Sequence, residues 1–328
     1  MQKAAAHAYR TGDLVRVRSA GEILATLDSR GTYEELPFMP EMLPYIGKTL
    51  RVSAAVQKLC WHTHESSSRK MDSTVILDQL RCSGEGHAGC AAECRLYWKE
   101  AWLRPATAAD AEGDPGIESP EMAELARVSN ANTRELRAFN GVDEEVYRCQ
   151  YTDLVRASEP IGELEPSQYV GELRSRNISV WRFVTVFLRA FWWRVSRRLL
   201  KRVPEMPKVA GSERVDGERL DLRPGEIVQV RSLDEVGRTL DEESRHRGLT
   251  WTQELTPRCG KRFRVRARVD RLIDRETGRM IELKNDCIAL DGVVCSGDRT
   301  PGAWFCPAEH YTLWREAWLS RVEDSARS

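Results

Sequence analysis

The chain has 328 residues, 41% hydrophobic and 30% charged, with 50 Lys and Arg balanced by 50 Asp and Glu. This composition excludes a disordered or fibrous chain, and zero net charge excludes a globally basic nucleic-acid binder. Residues Met1 to Asp13 lack the apolar stretch of a secretory signal, so residence in a reducing cytoplasm is expected and the nine cysteines need a reason other than disulfides.

From the N-terminus, Gly12-Asp-Leu-Val-Arg-Val-Arg-Ser19 returns 213 positions later as Gly225-Glu-Ile-Val-Gln-Val-Arg-Ser232. The same offset pairs Thr26-Leu27-Asp28 with Thr239-Leu240-Asp241, Glu41 with Glu254, and Cys82-Ser83-Gly84 with Cys295-Ser296-Gly297. It becomes 216 where Trp98-Lys-Glu-Ala-Trp-Leu103 returns as Trp314-Arg-Glu-Ala-Trp-Leu319. One register held this long implies two homologous domains, 12–104 and 225–322. Short apolar runs at Leu14, Val15 and Val17 and at Leu50, Val52 and Val56 suit half-buried strands. Ser19 with Glu22, and Ser232 with Glu235, have capping-box spacing, which predicts short helices over 20–28 and 233–241. The expected fold class is α+β: two homologous small antiparallel-sheet domains of the SH3-like barrel kind, or an unclassified α+β module, joined by a partly helical linker.

That linker, 105–224, changes sign along its length. Ala106 to Tyr147 holds ten acidic residues against three arginines. Its Pro- and Gly-rich first part, to Pro120, reads as flexible. Residues 121–139 show helical spacing at Met122, Leu125, Val128, Leu136 and Phe139, with Asn140-Gly141 as a stop. Residues 178–203 carry seven basic residues and no acidic one. They predict an amphipathic helix: Trp181, Trp192 and Trp193 enter a headgroup layer while Arg194, Arg197 and Arg198 attract anionic lipid. Arg182 and Arg189 interrupt any spanning segment. The competing reading is a packing helix whose arginines pair with the acidic stretch.

Each repeat has four cysteines, the count a closed tetrahedral zinc site takes. Repeat 1 offers Cys60, Cys82, Cys90 and Cys94; repeat 2 offers Cys259, Cys287, Cys295 and Cys306; His87 and His310 stand in reserve. The register maps Cys82 onto Cys295, Cys90 onto Cys306 and Cys94 onto His310. Cys90 and Cys306 are read as helix N-caps, where a thiolate is favoured. Buried thiols, disulfides or redox chemistry, and an iron–sulfur cluster remain alternatives; zinc leads the cluster because no compact ferredoxin-type run occurs. Cys149, outside both repeats, is read as a buried thiol, and His62 and His64 as solvated.

The tandem G-[DE]-x-V-x-V-R-S and W-[KR]-E-A-W-L motifs, with Tyr147-Arg-Cys149-Gln150, resemble a bacterial family of tandem-repeat, cysteine-containing proteins. Members are seen as accessory proteins of polysaccharide or natural-product gene clusters, which implies context rather than activity. The family pattern has a cysteine before Gly-Lys in both repeats. Cys259 matches it and Ile46 departs, which implies Cys60 as the fourth ligand of repeat 1. With no Gly-rich phosphate loop, H-E-x-x-H or G-x-S-x-G in the chain, the expected function is a non-enzymatic zinc-binding scaffold or accessory protein with two sites. A protein partner is expected, an anionic inner-membrane surface is a candidate, and nucleic acid is not. The alternative is an enzyme or sulfur/redox carrier using one cysteine cluster.

Overall fold

A computed structural model of the chain describes residues 9–62, 66–107, 110, 119–162, 165–199, 219–299 and 304–322, with residues 62, 66–67, 190 and 193–199 as backbone only. The fold is mixed α and β.

The first repeat opens with β1 (Leu14–Val17) and α1 (Ala20–Leu24). The Ser19 hydroxyl accepts the Glu22 N–H while the Glu22 carboxylate accepts the Ser19 N–H, so the expected capping box forms, though its helix ends at Leu24 rather than near 28. A short pair, β2 (Thr32–Tyr33) and β3 (Leu36–Pro37), precedes β4 (Thr49–Ala55) and the hairpin of β5 (Leu59–His62) and β6 (Ser66–Lys70). Next come β7 (Thr74–Arg81), β8 (Arg95–Lys99), a 3-10 turn at Glu100–Trp102, and β9 (Leu103–Pro105). The sheet runs β8-β7-β4-β1-β9 with antiparallel pairings, so the last strand returns beside the first.

Between the repeats lie α2 (Pro120–Ala131), β10 (Arg134–Phe139), β11 (Val142–Tyr147), β12 (Glu159–Ile161), α3 (Pro166–Arg174) and α4 (Val180–Leu199). The helix expected over 121–139 therefore stops at Ala131, and Leu136 and Phe139 belong to a strand. Asn140-Gly141 is the two-residue turn of the β10–β11 hairpin, with φ of 52° and 81°. Asn-Gly adopts those left-handed angles at low cost, so it turns a hairpin rather than ending a helix. The flexible reading of Ala106 to Pro120 falls largely outside the described residues, as do 200–203 of the basic helix.

The second repeat reproduces the first. It has β13 (Ile227–Val230), α5 (Leu233–Gly237), β14 (Arg245–His246), β15 (Leu249–Thr250), β16 (Arg262–Arg268), β17 (Arg271–Ile273), β18 (Met280–Glu282), β19 (Ile288–Val294), β20 (Tyr311–Trp314), a 3-10 turn at Glu316–Trp318 and β21 (Leu319–Arg321). Sheet order is β20-β19-β16-β13-β21, matching strand for strand. The cores repeat too. Phe38 meets Trp98 and Trp102 edge-on at 6.3 and 5.2 Å, and its counterpart Trp251 meets Trp314 and Trp318 at 5.8 and 5.1 Å. Trp102 Nε1 donates to the Thr26 hydroxyl, as Trp318 Nε1 does to Thr239. The Trp-x-x-x-Trp spacing is thus core architecture: the first tryptophan lies on a strand, the second in a 3-10 turn. It is not the face of a helix.

Glu316 shows why a carboxylate recurs in that motif. Its oxygens accept the N–H groups of Leu220, Asp221 and Leu222 and the guanidinium of Arg268. Burial raises its pKa, and these donors more than offset that, leaving it below the ordinary carboxylate range. Such a group stabilises the fold above its unfolded pKa of about 4.3, and that contribution is lost as pH falls through the folded value. Glu316→Gln should therefore cost about 3 kcal/mol at pH 7 and much less at pH 3. Urea titrations at both pH values check this, and an equal cost at each would refute the ionic role.

The chain divides into two compact units. Unit 1 takes Met1–Val180 together with Arg271–Ile281 and Phe305–Ala308; unit 2 takes Trp181–Asp270, Glu282–Trp304 and Glu309–Ser328. Two pieces of the second repeat therefore belong to unit 1. One is part of the β17–β18 hairpin: Gly278 O accepts the Tyr147 N–H, and Arg279 covers the Phe139 ring and pairs with Glu144.

Candidate metal centre

In unit 1 the loop between β7 and β8 runs from Cys82 to Cys94, and its ends are tied by a Cys82 N–H to Cys94 O bond of 2.8 Å. Gly84 sets its course. At φ 74° it brings the chain so near Cys90 that a Cβ there would sit 2.1 Å from the Cys90 carbonyl oxygen. Cys90 and Cys94 occupy turns rather than a helix, and Cys306 likewise heads no helix. The expected N-cap activation of Cys90 and Cys306 is therefore absent.

A third segment brings Cys149. Gln150, fully buried, fixes it: Oε1 accepts the Tyr97 N–H at 2.8 Å and Nε2 donates to the Tyr97 and Pro37 carbonyls. Arg148 adds an ion pair to Asp153 at 2.6 Å and a bond to Arg30 O. This anchoring places Cys149 on the wall of a cavity of about 30 Å³ whose lining also includes Cys82, Cys90, Cys94, His87 and Met39.

The four thiols are half-buried by surface area, yet the protein around Cys82, Cys94 and Cys149 is dense enough for desolvation to dominate their pKa values. Burial pushes Cys149 up to about 11 and Cys82 and Cys94 higher still. Mutual charge adds to this: Cys94 faces Cys149 and Cys90, and Cys82 faces Glu41, Cys94 and Cys149. A set of thiols that resists ionisation alone becomes a thiolate set when a cation supplies the missing charge.

Beside them, ligand atoms of Glu41, Cys82 and His87 lie within 4.8 Å of one another, a group that could hold a metal ion. His87 Nε2 is 3.0 Å from the Arg148 carbonyl, which can only accept, so Nε2 carries a hydrogen. His87 Nδ1 then faces Glu41 at 2.8 Å. It either donates to that carboxylate as part of a buried ion pair or turns a lone pair to a metal, its other nitrogen held as in a ligating histidine.

The sequence quartets are regrouped. Cys60 belongs with Cys306, whose sulfur is 3.3 Å away and also accepts the Cys60 N–H. That contact with the Cys60 thiol brings Cys306 down to about 7. In unit 2, Cys259 packs against the hydrophobic core, Cys287 is buried and pushed up by burial to about 11, and Cys295 donates its N–H to His310 O as Cys82 does to Cys94 O. Among the described residues, no three ligand atoms of unit 2 come within 4.8 Å of one another, so one quartet per repeat does not assemble. Sequence reasoning missed Cys149; the signal was its place in Tyr147-Arg-Cys149-Gln150, the one matched segment outside the repeats.

On α4, Trp181 and Trp192 are 75% and 66% exposed, with Leu188 and Phe191 beside them. The opposite face packs within unit 2 through buried Val186, through Phe187 against Trp304 at 5.5 Å, and through Arg182 and Arg189 on Asp298. Those arginines thus meet Asp298 rather than the acidic 106–147 stretch. The side chains of Trp193, Arg194, Arg197 and Arg198, and His64, lie outside the described residues. Among those residues, no helix is long and apolar enough to cross a membrane.

Comparison with protein-family models, with curated proteins and with solved structures finds no match.

Proposed function

We propose that the chain is a non-enzymatic accessory or scaffold protein built on two SH3-like repeats, with a buried metal–thiolate centre in unit 1. Supporting the SH3-like reading, each sheet returns its fifth strand beside its first after a 3-10 turn. The carrying observation for the centre is that Cys82, Cys90, Cys94 and Cys149, from separate segments, line one cavity. The donor set fits: four soft sulfurs suit zinc or iron. These four residues would hold the metal, with Glu41 and His87 orienting the Cys82 loop. Bound there, the metal would supply a cross-link between the loop and the Cys149 segment. Four protein thiolates leave no open position for substrate, which favours a structural over a catalytic role. The second repeat supplies structure rather than a second centre.

Metal analysis of the native protein tests this. The expected result is one centre per chain, retained in Cys259→Ser, Cys287→Ser and Cys295→Ser and lost in Cys94→Ser. Two equivalents, one lost with Cys295, would restore the site-per-repeat reading, and a folded metal-free chain would overturn the centre.

A second reading concerns α4. Its exposed Trp181, Leu188, Phe191 and Trp192, followed by the basic run to Arg202, favour reversible docking on anionic membranes. Flotation with anionic liposomes should recover the protein in the lipid fraction, less so at high salt, and Trp181→Ser with Trp192→Ser should abolish recovery without lowering the melting temperature. Wild-type protein that stays at the bottom of the gradient in every lipid mixture refutes it.

A further inference from the structure

We infer that Cys82, Cys90, Cys94 and Cys149 hold an iron–sulfur cluster of the four-iron kind; this rests on the metal-centre reading above and specifies its occupant. Spacing is the first ground. Around one tetrahedral zinc, with Zn–S of about 2.3 Å, four sulfurs crowd to about 3.8 Å from each other. Among the described residues, the group of three ligand atoms mutually within 4.8 Å is Glu41, Cys82 and His87, so no three of the four cysteine sulfurs are that close. Between them lies the cavity of about 30 Å³ that all four line, room for about two water-sized spheres. One iron behind each sulfur calls for such a separation, and a single ion does not.

Hydrogen bonding to sulfur is the second ground. The Gly84 N–H reaches Cys82 Sγ, the Ile273 N–H reaches Cys90 Sγ at 3.4 Å, and the Thr152 and Tyr151 N–H groups reach Cys149 Sγ. Backbone donors to cysteine sulfur offset thiolate charge and tune cluster potentials. Arg81 and Arg275 add positive charge facing Cys94. Met39, Leu96 and Ile273 complete an apolar lining, which limits access of water. Three ligands from one loop and a fourth far along the chain also match a known way of holding clusters. When bound, such a cluster supplies one-electron transfer or a rigid structural tie.

The test uses the full chain, made with iron and an iron–sulfur assembly pathway supplied and purified without oxygen. About four iron and four acid-labile sulfide per chain are expected, with a brown band at about 400 nm that dithionite bleaches. Cys149→Ala should lose at least half of the iron and the band, and Cys287→Ala should keep both. Colourless protein with one zinc and no sulfide overturns the cluster but leaves the metal centre standing. Folded protein with neither metal overturns both, and unchanged iron and sulfide in Cys149→Ala removes Cys149 from the site.

Discussion

Cys149→Ser should unfold unit 1 and release its metal, while Cys295→Ser leaves both in place. By the measure of structural zinc sites, a thiolate centre contributes on the order of 10 kcal/mol, comparable to the whole stability of a domain at about 5–15 kcal/mol. Losing one ligand of four therefore removes most of what holds the Cys82–Cys94 loop to the Cys149 segment. Unit 1 has many reporters for this, including Trp98 and Trp102 in its core. Near-ultraviolet circular dichroism together with hydrogen exchange resolved by segment would separate loss of 95–105 and 148–153 from retention of 227–230 and 311–321. Native exchange in the Cys149→Ser protein would mean that the cavity is packing and nothing more.

Gly84→Ala should be nearly as damaging, although it touches no thiol. The added Cβ meets backbone, the Cys90 carbonyl oxygen at 2.1 Å, and no rotamer relieves such a clash; the left-handed φ of 74° adds strain. The loop must move, and Cys82 and Cys90 move apart with it. Gly89 provides the control. Its φ of 75° is as left-handed, but nothing lies within 4 Å of a Cβ there. Gly89→Ala should therefore cost only about 1 kcal/mol and keep the metal. Metal content and denaturation midpoints of the two variants decide the matter, and equal losses would put the damage down to backbone strain alone.

Legibility in the sequence followed how local the physics was. Capping boxes at Ser19 and Ser232 sit within four residues, and both helices begin where those residues say. Duplication was legible because the matched residues occupy equivalent places, down to Thr26 with Trp102 and Thr239 with Trp318. The Asn140-Gly141 turn was misread because helical spacing at Leu136 and Phe139 outweighed a dipeptide whose backbone angles favour a hairpin. Grouping of the cysteines depended on long-range topology. Nothing near Cys149 announces that Gln150 will pair with Tyr97 and carry its neighbour to the Cys82 loop, and nothing near Cys306 places it against Cys60. The repeat register argued for equal sites in both copies, but the copies diverge where the extra segment reaches only one of them.

The central claim is that four cysteine sulfurs, rather than the mixed Glu41, Cys82 and His87 group, hold the metal. X-ray absorption at the edge of the bound metal in native protein tests it most directly. An all-sulfur first shell at about 2.3 Å is the result expected of thiolate ligation. Nitrogen or oxygen scatterers at about 2.0–2.2 Å would contradict it, moving the metal to the carboxylate and imidazole beside Cys82.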